Sequence, residues 1–162
     1  MVGLEFEIFS YFIIFVRILG FFIIAPLFGR KNVPAIVKIG FSLLLAAVLY
    51  NIVDKSVFSE QVPDEKGNMY YYVFLLFKES IMGLMLGFVS YAMFTAIYVA
   101  GQIIDMKIGF GVVNVIDPLS NIQVPITANF YFILAMVAFL AFRGHHILIK
   151  SLFDSYKSIP PG

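Results

Sequence analysis

The sequence has 162 residues and a net charge of +1; 61% of the residues are hydrophobic and 13% are charged. Soluble domains contain about 45–50% apolar and about 25% charged residues, so this composition indicates an integral membrane protein. The 11 Lys and Arg residues are scattered and cannot form a surface that neutralises phosphates, which excludes nucleic acid as a partner. The absence of cysteine excludes disulfides, thiol nucleophiles and thiolate metal sites.

Two hydrophobic blocks at the start of the chain, residues 8–28 and 33–53, have the length of about 20 residues that a membrane-spanning helix needs. Glu5 and Glu7 precede the first block, where a signal peptide would carry basic residues, so we expect a retained helix. The short segment GRKNVP lies between the blocks and favours a turn. The two blocks are therefore predicted to form an antiparallel helical hairpin.

A longer hydrophobic block, residues 70–100, follows a polar segment, residues 54–69, which is predicted to be a solvent loop. As one helix the block would extend about 45 Å, beyond a hydrocarbon core of about 30 Å, so we expect it to tilt or to lie partly outside lipid. A fourth block, residues 126–142, precedes residues 147–162, in which apolar residues follow a helical pattern. The blocks together predict an all-α membrane protein built from helical hairpins.

The basic residues do not fit a simple topology of four spans. Arg30, Lys31 and Lys38 cluster at the tip of the first hairpin, which favours an outside N-terminus by the positive-inside rule. If all four blocks crossed the membrane, the basic residues after the fourth block would then fall on the outer side. A simple four-span arrangement is therefore not expected.

Four charged residues lie inside the apolar blocks: Arg17, Lys38, Lys78 and Glu79. Lys38 is near the start of a helix and is expected to extend its ammonium group to the membrane surface. An unpaired charge that faces lipid costs at least about 2.5–3.5 kcal/mol on insertion scales, so each of them needs a partner. Lys78 and Glu79 are sequence neighbours and point about 100° apart on a helix, so they cannot simply neutralise each other. We expect Arg17 to bond to carbonyl groups or to a carboxylate from another helix or subunit.

The sequence offers little support for catalysis. The adjacent His145 and His146 are expected to place their rings on different helical faces, unlike the i, i+4 spacing of two histidine ligands of one metal. No serine lies in a Gly-x-Ser-x-Gly elbow. We therefore expect neither enzyme activity nor a metal or other cofactor.

The third block contains one pattern that favours close helix packing. Gly83 and Gly87 are four positions apart and form a small-xxx-small motif, which lets two helix backbones approach each other. Because this motif is common, we interpret it as packing and not as a functional site.

The third helix is predicted to continue past its apolar block. Gln102 and Asp105 lie three positions apart on one helical face, which indicates an amphipathic extension to about Lys107. The whole segment 101–125 is therefore interpreted as a broken helix.

The break itself is predicted at Gly109, Phe110 and Gly111, because glycines on either side of an aromatic residue allow backbone angles that other residues avoid. The polar residues that follow, up to Pro125, leave backbone groups that lipid could not satisfy. Irregular backbone at membrane depth is tolerated only inside protein or against a water-filled cavity. Two interpretations stay open at this point: a segment that lines a cavity or pore, and an ordinary solvent loop.

Several separated motifs occur in one order: Arg17, APLFGRKNVPAIVKIGFS from Ala25, GQIIDMKIGFG from Gly101, DPLSNIQVP from Asp117 and GHHILIKSLFDSYKSIPPG from Gly144. In this order the chain resembles the FliR family of flagellar biosynthesis proteins, which is shared with the export gates of virulence type III secretion. The resemblance covers almost the whole chain and corresponds to the N-terminal two thirds of a family member. It implies one export-gate domain over residues 1–162 that is incomplete at its C-terminus.

The resemblance also implies partners and a location. A FliR-like subunit joins FliP-like and FliQ-like subunits, and an FlhB-like subunit, in the bacterial inner membrane at the flagellar basal body. Their helical hairpins stack in a helical assembly that stands partly above the bilayer plane and surrounds a channel for unfolded protein substrates. In such an assembly Arg17, Lys78, Glu79 and Asp105 are expected to make polar contacts between subunits.

By the same resemblance, the segment after the third helix closes the channel. Apolar side chains block the lumen, and glycine hinges let them move aside for a substrate. The residues implied in this plug are Gly109, Phe110, Gly111, Val112, Val113, Asn114, Asp117 and Pro118.

A rival hypothesis is half of a small secondary transporter or permease. In such proteins broken helices flank a solute site at the bilayer midplane, and Glu79 or Asp105 would couple the transport of ions. The sequence contains no internal repeat, which counts against this hypothesis.

Overall fold

The computed structural model describes residues 2–26, 28–29, 33–52, 69–109 and 125–160, with backbone alone for residues 2–6. These ranges contain five helices and no strand, which confirms an all-α membrane protein. The helices are α1, Val2–Ile24; α2, Ala35–Ile52; α3, Met69–Ile108; α4, Ile126–Ala141; and α5, Gly144–Ser158. Most of the predicted solvent loop and of the predicted plug lies outside the described residues.

Within the described ranges, three helices are long and apolar enough to cross a membrane, and their candidate spans are Glu7–Ile24, Ala35–Ile52 and Met69–Ile108. Helices α4 and α5 pass the same test together, although they are bent by 70° at the break between them. The third of these helices, α3, is continuous over 40 residues. At 1.5 Å per residue it is about 60 Å long, so the prediction that it exceeds the hydrocarbon core is confirmed.

The described residues divide into two compact units, and the first comprises Met1–Ser90 with Ile149–Gly162. Within it α1 packs on α2, and the Tyr11 hydroxyl donates a hydrogen bond of 2.7 Å to the Leu43 carbonyl. Rings of three phenylalanines, Phe22, Phe28 and Phe41, contact one another at centroid distances of 4.7–5.4 Å. The predicted hairpin of the first two blocks is therefore present.

Helices α1 and α3 approach so closely that glycine is required at their contact. A Cβ atom at Gly83 would overlap the Arg17 carbonyl group, and one at Gly87 would lie 2.7 Å from the Phe21 carbonyl oxygen. On the opposite helix, a Cβ atom at Gly20 would lie 2.9 Å from the Ser80 carbonyl oxygen. The packing interpretation of the small-xxx-small motif is confirmed, and Gly20 is its counterpart on α1.

The second unit comprises Tyr91–Leu148. In this unit the second half of α3 packs on α4 through aromatic rings, with Phe94 against Phe139 and Tyr98 against Phe132. Helix α4 ends where Arg143 adopts a positive φ of 57°, and the Arg143 N–H donates to the Leu140 carbonyl. This turn produces the bend between α4 and α5.

Candidate functional site: a buried charge network and the base of the helix break

The charge at Arg17 is fully buried and is neutralised by a carboxylate on another helix. Arg17 on α1 donates from Nε and Nη2 to the two carboxylate oxygens of Glu79 on α3, at 2.5 and 2.9 Å. Both side chains are completely enclosed. A planar guanidinium matches a carboxylate in this two-bond geometry, so the pair joins α1 and α3 at a fixed register.

The remaining guanidinium N–H groups bind the last turn of α5. Nη1 donates to the Ser155 hydroxyl at 3.3 Å, and both Nη atoms donate to the Ile159 carbonyl at 3.2 Å. The Tyr156 ring lies against the guanidinium, 4.1 Å from the ring centroid, and its hydroxyl donates to the Ile14 carbonyl. Every N–H of Arg17 therefore has an acceptor, which a buried cation requires.

These contacts satisfy the expectation for Arg17, since it binds both a carbonyl and a carboxylate from another helix. They also show that the burial of Arg17 and Glu79 does not by itself require a second subunit, because α3 supplies the counter-charge within the chain. Lys78 is half-buried on the same helix. Contacts of these three residues across subunits stay a prediction.

Asp105 lies near the end of α3 and binds the start of α4. Its carboxylate oxygens accept hydrogen bonds from the backbone N–H groups of Thr127 at 3.0 Å and Ala128 at 3.2 Å, and the residue is 5% exposed. The first turn of a helix has N–H groups without intrahelical partners, and Pro125 at the N-cap offers no side-chain acceptor. Asp105 therefore caps α4 from the neighbouring helix, where its charge also suits the helix dipole.

A second contact holds the same two helices together one turn earlier. Gly101 is four residues before Asp105, on the same face of α3. A Cβ atom at Gly101 would overlap the backbone of Ala128. Backbone packing at Gly101 and hydrogen bonding at Asp105 thus fix the first turn of α4 against the end of α3.

The helix break lies directly after this contact. Helix α3 ends at Ile108, close to the predicted end at Lys107, and Gly109 has a φ of 91° that favours glycine. Of the predicted plug residues, only Gly109 belongs to the described part of the chain. Phe110, Gly111, Val112, Val113, Asn114, Asp117 and Pro118 lie outside it.

The two adjacent histidines, His145 and His146, occupy consecutive positions of α5, and their rings contact each other with centroids 4.4 Å apart. They occupy the first turn of α5, directly after the positive φ of Arg143. Among the residues that the structure describes, no group of three His, Cys, Asp or Glu side chains could hold a metal ion.

Comparison with known proteins places the chain in a family. A family model described as "Bacterial export proteins, family 1" matches residues 8–162. The chain belongs to this family. The match confirms the resemblance that the sequence motifs indicated.

Individual members of the export protein family resemble the chain along most of its length. The flagellar biosynthetic protein FliR of Bacillus subtilis (strain 168) is 37% identical over 150 residues, which cover 93% of this chain and 55% of that protein. FliR of Escherichia coli (strain K12) is 29% identical, with 94% and 56% covered. The surface presentation of antigens protein SpaR of Shigella flexneri is 27% identical, with 91% and 55% covered. The chain thus spans about half the length of these curated relatives, which is less than the two thirds that the resemblance implied.

Two features of the site were not predicted from the sequence of this family member. The contact of α5 with Arg17 joins residues that lie 138 and 142 positions apart, and no local pattern indicates such a pairing. The capping role of Asp105 had a signal, because Pro125 precedes an apolar helix and cannot cap it. The free N–H groups of the first turn are therefore left to an acceptor from outside the helix.

Proposed function

We propose that this chain is part of a gate subunit for type III protein export in the bacterial inner membrane, at the flagellar basal body, and that its segment 109–118 closes the channel at rest. The family match over residues 8–162 carries this proposal. The relatives include the flagellar biosynthetic protein FliR and the surface presentation of antigens protein SpaR. The proposed partners are FliP-like, FliQ-like and FlhB-like subunits, and the proposed substrates are unfolded proteins.

The placement of the break supports the closing role of the segment. The chain leaves α3 at Gly109 and begins α4 after Pro125, and these two points flank a contact held by Asp105. The sequence after Gly109 starts with Phe110, Val112 and Val113. Apolar residues can close a narrow pore by excluding water from it, and glycines permit them to move.

The outer surface of the helices supports membership of an assembly. Large apolar side chains are exposed along α2, α3 and α4, among them Ile36 at 82% and Phe130 at 61%. An exposed apolar surface of this extent requires lipid or protein contacts. Because α3 is about twice as long as a hydrocarbon core is thick, part of this surface is expected to contact other subunits.

No observation favours the transporter hypothesis. Both carboxylates that it used have structural partners, since Glu79 pairs with Arg17 and Asp105 caps α4.

The closing role is tested in a chimera in which residues 1–162 replace the matching part of the Bacillus subtilis relative. Removal of the ring in Phe110→Ala is expected to raise passive ion leakage through the resting gate. Gly109→Val and Gly111→Val are expected to reduce secretion without loss of assembly, because a β-branched residue disfavours positive φ. Ion conductance and substrate secretion of assembled complexes measure the two effects.

Gly40→Val serves as the matched control, because nothing lies within 4 Å of the position that its Cβ atom would occupy. This control is expected to leave leakage unchanged. Normal leakage and secretion in all three plug variants would contradict the closing role and leave the segment as a surface connector.

A further inference from the structure

Helices α1 and α2 and the first part of α3 lie side by side in the first unit and form one layer. Pairs of rings or charges in contact show how they are aligned: Phe9 with Tyr72, Arg17 with Glu79, Tyr11 with Tyr50 and Phe22 with Phe41. Residue numbers rise together along α1 and α3, and in opposite senses along α1 and α2. The 18-residue spans of α1 and α2 are each about 27 Å long, close to a hydrocarbon core of about 30 Å.

The end of α5 contacts the middle of this layer. Arg17 binds the Ser155 hydroxyl and the Ile159 carbonyl. Within the span Glu7–Ile24, Arg17 lies about 15 Å from one end and about 10 Å from the other. The last turn of α5 is therefore at the depth of the membrane interior.

The outer face of α5 is polar at this depth, whereas the outer face of α2 is apolar. Every exposed residue of α2 from Ile36 to Val48 is apolar. The exposed residues of α5 from its seventh position onward are Lys150, Ser151, Asp154, Lys157 and Ser158. They recur every three or four positions and form one polar stripe, opposite the buried Leu152 and Tyr156.

The polar stripe is unsuited to contact with lipid. Each charge that faces the bilayer centre costs at least about 2.5–3.5 kcal/mol on insertion scales. Lysine side chains can extend toward the membrane surface, but the aspartate side chain of Asp154, next to Ser155, is too short to do so. A protein partner would have to bury these charges, which carries a desolvation penalty. Water hydrates lysine, aspartate and serine without that penalty.

We propose that the polar stripe of α5 borders an aqueous space that reaches the middle of the membrane-spanning layer. The opposite face of α5 covers Arg17, which is completely buried. Helix α5 therefore separates the aqueous space from the pair of Arg17 and Glu79. The inference rests on the membrane character of the helices and does not depend on the closing role of segment 109–118.

Spin labels at single positions provide the first test, because oxygen collides with labels in lipid and a water-soluble nickel chelate collides with labels in water. The chain contains no cysteine, so Ser151→Cys and Ser158→Cys each introduce one site in a cysteine-free chimera, assembled with its host subunits in a bilayer. Serine and cysteine are similar in size, which favours retention of the fold. Leu44→Cys and Ala47→Cys are the controls, on the exposed face of α2 at the depth of Arg17.

Collision with the nickel chelate is expected to be at least about tenfold more frequent on α5 than on α2, because transfer of a polar solute into hydrocarbon is costly. Labels on α5 that only oxygen reaches would indicate lipid, and labels that neither reagent reaches would indicate a protein partner. Either result would overturn the proposal. Equal access of the chelate to the α2 controls would also overturn it, because the layer would then not exclude water at this depth.

Removal of a charge tests the proposal without labels. Asp154→Leu is expected to change the amount of assembled complex by about twofold or less, as for a substitution at a hydrated surface. The reverse substitution at the same depth, Leu44→Asp, is expected to reduce this amount about tenfold or more. A gain from Asp154→Leu beyond the twofold range would contradict the proposal, because it would show that the carboxylate faced an apolar environment.

Discussion

Arg17→Leu is expected to destabilise the folded chain by about 3–5 kcal/mol, because it leaves the Glu79 carboxylate buried without its counter-charge. The substitution also removes the bonds from Arg17 to Ser155 and to the Ile159 carbonyl, so the end of α5 is held to α1 less firmly, although the Tyr156 hydroxyl still donates to the Ile14 carbonyl. Insertion into the membrane is expected to stay intact or to improve, since leucine replaces a charge. Thermal unfolding in detergent and the yield of assembled complex per inserted chain measure these effects.

Two further variants test the physical reason. Arg17→Leu combined with Glu79→Leu removes both charges and is expected to recover much of the lost stability, because no isolated charge remains. Arg17→Lys keeps the charge but cannot make the two-bond contact with Glu79, and we expect intermediate stability. The explanation is wrong if Arg17→Leu alone is as stable as the unmodified chain, or if the double variant is the least stable of the three.

Gly83→Ala is expected to destabilise the chain by about 1–3 kcal/mol, the usual cost of overpacking. The new methyl group would overlap the Arg17 carbonyl, so α1 and α3 must separate. Separation would also lengthen the bonds between Arg17 and Glu79, which bridge the same two helices. The unfolding temperature in detergent provides the measurement.

Gly40→Ala is the matched control for this substitution. Gly40 also lies in a helix, but nothing is within 4 Å of its Cβ position. Replacement of an unconstrained helical glycine by alanine stabilises a helix by about 0.5–1 kcal/mol. The two substitutions are therefore expected to have opposite signs, and an unfolding temperature that rises in both would refute close packing at Gly83.

The helices could be predicted from the sequence because their lengths follow from hydrophobic blocks. The pairing of α1 with α2 and the end of α3 near Lys107 follow from local residues, and both agree with the structure. The bend after α4 was not predicted. It depends on a positive φ at Arg143, a conformation that nothing in this residue type favours.

The partners of the buried charges could be predicted only by chemical type. Burial of Arg17 implied an acceptor, but the choice of Glu79 depends on the register in which α1 meets α3, and Gly83 sets this register through backbone contact. Lys78 is the sequence neighbour of Glu79, so sequence position alone does not indicate which of the two side chains lies against Arg17. Selection between such neighbours is decided by tertiary packing, which local periodicity does not encode.

The central claim, that this chain belongs to a protein-export gate, is tested most directly by native mass spectrometry. The chimera is extracted in detergent with the FliP-type and FliQ-type subunits of its host, beside the unmodified Bacillus subtilis relative. We expect the chimera in a complex with both subunits, at the same stoichiometry as the relative. Recovery of the chimera as a folded, monodisperse monomer, under conditions in which the relative forms its complex, would contradict the claim.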